Sequence, residues 1–259
     1  MKKLICLAFI IVSIHGAVGQ ELKAEYQKFI KKFIENVKKD NKEAVAEMIS
    51  YPLKRENPIP AIQNKAEFVK RYYEIFDPTL KSEISKSNSA KDWSEMGWRG
   101  IMLNQGTVWF DIEGRLISIN YRSKFETDLK NKLIAEDKSN LHSSIANFKV
   151  PECILETSKF RIRIDDLGND NYRYASWSVK KTMREEPDLV ISNGKWFAEG
   201  TGGNHRFVFK KGNYVYEIYI AVLRVTTAAP ASLMVSQNNK VILSQDAKIL
   251  AQYKNLFIE

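Results

Sequence analysis

The sequence predicts an α+β protein in which helices and a small antiparallel sheet precede an all-β sandwich or small barrel. Three observations carry this reading. Between residues 20 and 76, apolar residues recur at three- and four-residue spacing with Lys and Glu between them, which is the helical period. Between 98 and 121 the pattern changes to short β-branched and aromatic runs divided by turn signals. From Glu152 onward, nine short runs alternate with Gly, Asn and Asp turns, the spacing of a sandwich or barrel.

The elements follow in order. Tyr26, Phe29, Ile30, Phe33, Ile34 and Val37 line one face of a first helix. Asp40, with Glu43 three residues on, has the pattern of a capping box for a second helix. Pro58 and Pro60 make residues 54–63 an extended loop. Asn64 caps a third helix bearing Phe68, Val69, Tyr72, Ile75 and Phe76, and a short helix is expected after Pro78. Strands are expected at Trp98–Leu103, Thr107–Ile112 and Leu116–Tyr121. Residues 124–145 return to a charged helical pattern, and 147–151 read as a boundary. The later strands are expected at 153–156, 159–165, 171–177, 188–192, 195–199, 205–211, 213–223, 232–236 and 240–244. Lys211-Gly212-Asn213 is the clearest hairpin turn among them. This gives domains at 20–148 and 149–259, after a leader at 1–19.

Lys2 and Lys3, the apolar run Leu4–Ile14 and the small residues Ala17-Val18-Gly19 read as a secretory signal cleaved before Gln20. The chain is thus expected in the periplasm or outside the cell, without stable membrane insertion. Beyond the signal one cysteine, Cys153, remains, so no internal disulfide is expected and stability rests on apolar cores. The composition, 44% hydrophobic and 27% charged, excludes wholesale disorder. Three histidines and two cysteines exclude a Cys/His-rich metal module. The net charge of +9 does not indicate nucleic acid, because no recognition motif accompanies it.

Residues 41–120, especially Tyr51-Pro52-Leu53, Asn64–Phe76, Gly100–Leu103 and Gly106–Asn120, resemble bacterial periplasmic domains of the nuclear transport factor 2-like (SnoaL-like) kind. The resemblance implies a sheet curved around helices, leaving a cone-shaped pocket. Tyr51, Tyr72, Trp98 and Trp109 are candidates to line it. Such a fold hosts enzymes and binding proteins alike, and no catalytic motif comes with it.

The most unusual stretch is Gly200-Thr201-Gly202-Gly203-Asn204-His205. Its glycines permit positive φ or close backbone approach, and its N–H groups can face an anion. His205 beside it is a candidate base or hydrogen-bond donor. The plainer reading is a turn between two strands. Asp165, Asp166, Asp170, Asp188 and Glu199 offer carboxylates, with turn formation as the commoner explanation. Asp111 is the one acid that could face inward in the first sheet. Cys153 reads as a small core residue and His142 as solvated on a helix. Tyr172 and Tyr174 share a strand face, as do Tyr214 and Tyr216. They form either a core or, with Arg161, Arg163 and Arg173, a binding surface. No dinucleotide fingerprint, metalloprotease motif or serine-nucleophile elbow occurs, so no cofactor or metal is expected.

The expected function is that of an exported binding protein of the bacterial envelope. It would recognise an envelope protein or a peptidoglycan-derived ligand without catalysis, as an inhibitor or immunity-type protein does. Gly200–His205, Tyr51, Trp98 and Trp109 are its candidate contacts. The competing classes are an enzyme, using the cone pocket or a carboxylate–His205 site, and a structural module of an envelope complex.

Overall fold

The computed structural model describes residues 21–225 and 227–250. The expected signal segment and cleavage point lie outside them. The chain is α+β and forms two compact units, residues up to 50 with 78–119, and 51–77 with 120 onward. These units interleave along the chain, unlike the linear segments 20–148 and 149–259. Residues 51–77 and the charged helix after 123 group with the strands of the second half. Among the described residues no helix is long and apolar enough to cross a membrane.

In the first unit, α1 (Ala24–Lys38) buries Tyr26, Ile30, Phe33, Ile34 and Val37, the stripe its spacing demanded. Helix α2 (Lys42–Glu47) is capped by Asn41, whose side chain accepts from Ala44 N. The expected cap, Asp40, instead takes a left-handed turn at φ 51°. Helix α3 (Lys65–Ile75) belongs to the second unit, and α4 (Pro78–Lys86) returns to the first. The sheet has four antiparallel strands in the order β1 (Trp93–Glu95), β2 (Ile101–Leu103), β3 (Val108–Phe110) and β4 (Leu116–Ile119). The run expected as one strand from Trp98 to Leu103 is broken. Gly97-Trp98-Arg99 winds into a single 3-10 turn, and Gly100 at φ 100° restarts the strand. A Cβ at Gly100 would collide with the Phe110 carbonyl, so the break is tied to close strand approach. Phe110 meets Phe33 edge-on at 5.1 Å, joining the sheet to α1.

In the second unit, eight antiparallel strands close into an up-and-down barrel: β5 (Val150–Glu156), β6 (Phe160–Gly168), β7 (Asn171–Ser178), β8 (Leu189–Ala198), β9 (His205–Lys211), β10 (Tyr214–Ile220), β11 (Ala231–Gln237) and β12 (Lys240–Ile249). Closure removes every free strand edge. The runs expected at 188–192 and 195–199 are one strand, β8, which bends at Asn193 (φ 63°). It pairs with β7 between Leu189 and Gly194 and with β9 from Lys195 to Ala198.

Alternation fills the barrel from both sides. Leu155, Ile162, Ile164, Tyr174, Phe207, Phe209, Ile218 and Leu233 point inward, with Tyr172, Tyr214 and Tyr216 packed against them. The strand tyrosines are therefore core residues. On the outer face, Ile154, Ala175 and Trp177 meet Leu141, Ile145 and Phe148 from the segment after α5 (Lys124–Ser139). Here Arg163, 0% exposed, donates to Asp137 of α5 at 3.1 and 2.5 Å and to Asp165 at 2.7 Å. Arg173 donates to Asp165 at 2.7 Å and to the Asn147 carbonyl at 3.0 Å. Asp165 is thus a buried ion-pair residue and not a turn former. Arg163 and Arg173 are interior counter-charges and not part of an exposed binding face. His142 lies beyond α5, its Nδ1 2.9 Å from Ser144 Oγ, and not on the helix.

Candidate functional site

One mouth of the barrel gathers the starts of β5 and β9 and the ends of β10 and β12. A cavity of about 570 Å³ opens there within the second unit. The strands contribute Cys153, Ile154, His205, Phe207, Ile220 and Ile249 to its wall. Its other side is the loop from Pro52 to Gln63, with Pro58 and Ile59 facing it.

The loop is held in place. Leu53 and Ile62 exchange backbone hydrogen bonds of 2.9 Å across its neck. Arg55 grips Glu126 of α5 with two bonds of 2.6 and 2.5 Å and donates to the Tyr121 carbonyl at 2.8 Å. Glu56 pairs with Lys130, one turn further along α5, and with Arg122 at 2.6 Å. Burial pushes the Glu56 carboxyl up, but the bond and charge of Lys130, then Arg122, outweigh it and hold Glu56 below its ordinary value. Asn57 Nδ2 donates to the Glu152 carbonyl at 2.7 Å, fastening the loop to β5.

A bulge in β5 places Glu152 at the cavity. Pro151 pairs with Asp165 and Cys153 with Ile164, leaving Glu152 without a cross-strand partner. It is the one carboxylate of the cavity wall, and among the described residues it makes no hydrogen bond or ion pair through its side chain. Burial, then the charge of Asp166, pushes its carboxyl above the ordinary value. Burial likewise pushes the neighbouring Cys153 thiol far up, so it stays protonated at neutral pH and is not a nucleophile.

The predicted glycine turn borders this mouth as the β8–β9 connection. Glu199 N donates to the Asn204 carbonyl at 2.7 Å and closes the turn. Gly200 and Gly203 have φ of 74° and 86°. A Cβ at Gly202 would meet Leu223. These glycines serve a tight turn under the β10–β11 connection. Asn204 joins the two connections through bonds to Val222 and Leu223. His205 lines the cavity, with Nδ1 2.9 Å from the Gly203 carbonyl. That contact makes Nδ1 the donor, so in the neutral ring Nε2 keeps its lone pair. The His205 ring lies 5.6 Å from Phe207 and 5.8 Å from Trp196. Val222 and Ile249, both exposed apolar residues, also line the cavity, and Trp196 beside His205 is 46% exposed.

Of the other sequence candidates, Tyr51 precedes the wall residue Pro52. Tyr72 is buried in α3 and stacked on Phe76 at 4.7 Å. Trp98 and Trp109 belong to the other unit. Trp98 is 65% exposed on its 3-10 turn, and Trp109 donates Nε1 to the Gly106 carbonyl at 3.1 Å. The four aromatics are therefore not brought together in one unit. Asp111 accepts from Glu113 N and Arg115 N as a turn residue and is no inward acid. Among the described residues no group of three or more His, Cys, Asp or Glu gathers to hold a metal.

Sequence reasoning missed Glu152 and the Pro52–Gln63 wall. The only sign of Glu152 was a charge beside Pro151 at a strand start. The apolar Leu53, Ile59 and Ile62 within a proline loop were the sign of the wall. Comparison with protein-family models, curated proteins and solved structures finds no match to the chain.

Proposed function

We propose that this is an exported binding protein of the bacterial envelope that holds its ligand at the barrel mouth without transforming it. The observation that carries the reading is the open cavity itself. Eight-stranded barrels have just enough interior for their own side chains or for one small ligand. Here Phe207, Phe209 and Tyr174 belong to the buried core, and the cavity opens at the mouth with Val222 and Ile249 in its wall. Concave, mostly apolar sites with a few polar groups are the usual form of a ligand site. The pinned loop favours binding for a further reason, since a preformed wall lowers the ordering cost of association. Export is supported by the sequence pattern of residues 1–19.

A second reading has one observation behind it. Glu152 is a buried ionisable group in a cavity that also holds His205, the kind of pairing acid–base enzymes use. The two readings separate in one experiment. The full-length protein is incubated with envelope lipid extract and with muropeptides, and complexes are read by native mass spectrometry. The binding reading expects a one-to-one complex whose ligand is released with its mass unchanged, and its loss in an Ile220→Trp variant that fills the cavity. A released ligand of altered mass supports the enzyme, and no complex from either extract overturns the binding reading.

A further inference from the structure

We propose that the ligand of the barrel mouth is an amine, with its ammonium group on the Glu152 carboxylate and its apolar body against Phe207, Ile220 and Ile249. The proposal rests on the reading of this cavity as the ligand site. Three features of the cavity point to the charge. First, Glu152 is its one acidic wall residue and has no side-chain partner among the described residues. A half-buried carboxylate without a partner is costly, and a cation that arrives with an apolar body supplies the missing partner while excluding water.

Second, the basic groups of the same wall are not its partners. Arg55 holds Glu126 and the Tyr121 carbonyl, and His205 Nδ1 holds the Gly203 carbonyl. Lys54 is exposed. The nearest cationic influence on Glu152 comes from Lys130, which is itself bound to Glu56. Third, the aromatic neighbours suit a cation. Tyr172 stands close enough to feel the Glu152 charge and packs on Phe207 with ring centroids 5.0 Å apart. Of these two rings Phe207 lines the cavity, and an aromatic ring there attracts an alkylammonium as it would not a carboxylate. The size also suits it, since about 570 Å³ takes a medium-length alkyl chain or a two-ring body.

The bulge explains why the carboxylate is there. A regular β5 would alternate Glu152 to the outer face, among Ile154, Ala175 and Trp177. The extra residue leaves Glu152 beside the inward Cys153 at the cavity wall, which is a common use of a bulge next to a site.

The test is calorimetric titration of the full-length protein at neutral pH with decylamine, decanol and decanoic acid, repeated on Glu152→Gln. The three probes share a chain and differ only in head-group charge. The proposal expects decylamine to bind at least about tenfold more tightly than the other two, consistent with a charge-assisted contact. In Glu152→Gln the advantage disappears while decanol binds as before. Equal binding of all three probes, or an amine preference that survives in Glu152→Gln, overturns the amine assignment and leaves the cavity standing as an apolar site. Binding of none overturns both. Melting curves of Glu152→Gln establish that the variant is folded before its titration is read.

Discussion

Asn204 and Leu223 exchange two hydrogen bonds. Leu223 N donates to Asn204 Oδ1 at 2.8 Å, and Asn204 Nδ2 donates to the Leu223 carbonyl at 3.1 Å. The same Oδ1 accepts from Val222 N at 2.7 Å. One carboxamide thus ties the β8–β9 turn to the β10–β11 connection and fixes the rim of the cavity. Asn204→Ala is expected to lower stability by about 1 kcal/mol, the net worth of such bonds near solvent. Its sharper signature is local. Hydrogen exchange at Val222 and Leu223 should accelerate while β6 and β7 amides keep their protection. Unchanged exchange at both positions would show that the tie is not needed.

Gly194 and Phe209 occupy one space inside the barrel. A Cβ at Gly194 would run into the Phe209 ring, which is fully buried. Gly194→Ala is expected to destabilise by about 1–3 kcal/mol through overpacking. Combining it with Phe209→Leu should cost less than the two single changes added together, because the smaller side chain makes room. Additive losses in chemical denaturation would contradict the proposed clash.

Asp137 and Arg163 join α5 to the outside of the barrel. Asp137→Ala leaves Arg163 with a buried charge only partly met by Asp165, and the expected loss is about 3–5 kcal/mol. Replacing both by apolar residues, Asp137→Leu with Arg163→Met, should recover much of it. A double variant no more stable than Asp137→Ala would argue against charge burial as the cause.

Glu152 and Glu56 give opposite pH signatures. Burial first, then Asp166, raises the Glu152 carboxyl above its ordinary value of 4.5. Ionised Glu152 therefore costs stability above its folded-state value, and the cost vanishes once the pH falls below the ordinary value. Glu152→Gln should melt above the wild type at pH 8, with the gap closing toward pH 4. Glu56 is held below 4.5, because Lys130 and Arg122 outweigh the effect of its burial. Its contribution is present above the ordinary value and lost as the pH falls through the lowered one. Glu56→Gln should thus melt below the wild type at neutral pH and approach it in acid. A gap independent of pH in either variant would contradict the corresponding assignment.

Much of the barrel was legible because its signals are local. Alternation put Tyr172 with Tyr174 and Tyr214 with Tyr216 on shared strand faces, which pack on the barrel core, and Lys211-Gly212-Asn213 gave the β9–β10 hairpin. The error at 188–199 has a physical source. Asn193 and Gly194 read as a turn between strands, whereas they bend one strand around Phe209. The site was harder to read, since its parts lie far apart in the chain. His205 stood out through the glycines before it. The Pro52–Gln63 wall belongs with the barrel only through partners on α5 and β5, and nothing in residues 54–63 names those partners. Asp165 and Arg163 look like ordinary charged strand residues until Asp137 covers them.

That the barrel mouth holds an apolar ligand body is tested by a fluorescence titration with the neutral probe N-phenyl-1-naphthylamine. Saturable one-to-one binding by the full-length protein is expected. Loss of that binding is expected in an Ile220→Trp variant that keeps wild-type melting, and full retention in Trp98→Ala and Trp109→Ala. Absence of saturable binding, or binding that Ile220→Trp leaves untouched, would contradict it.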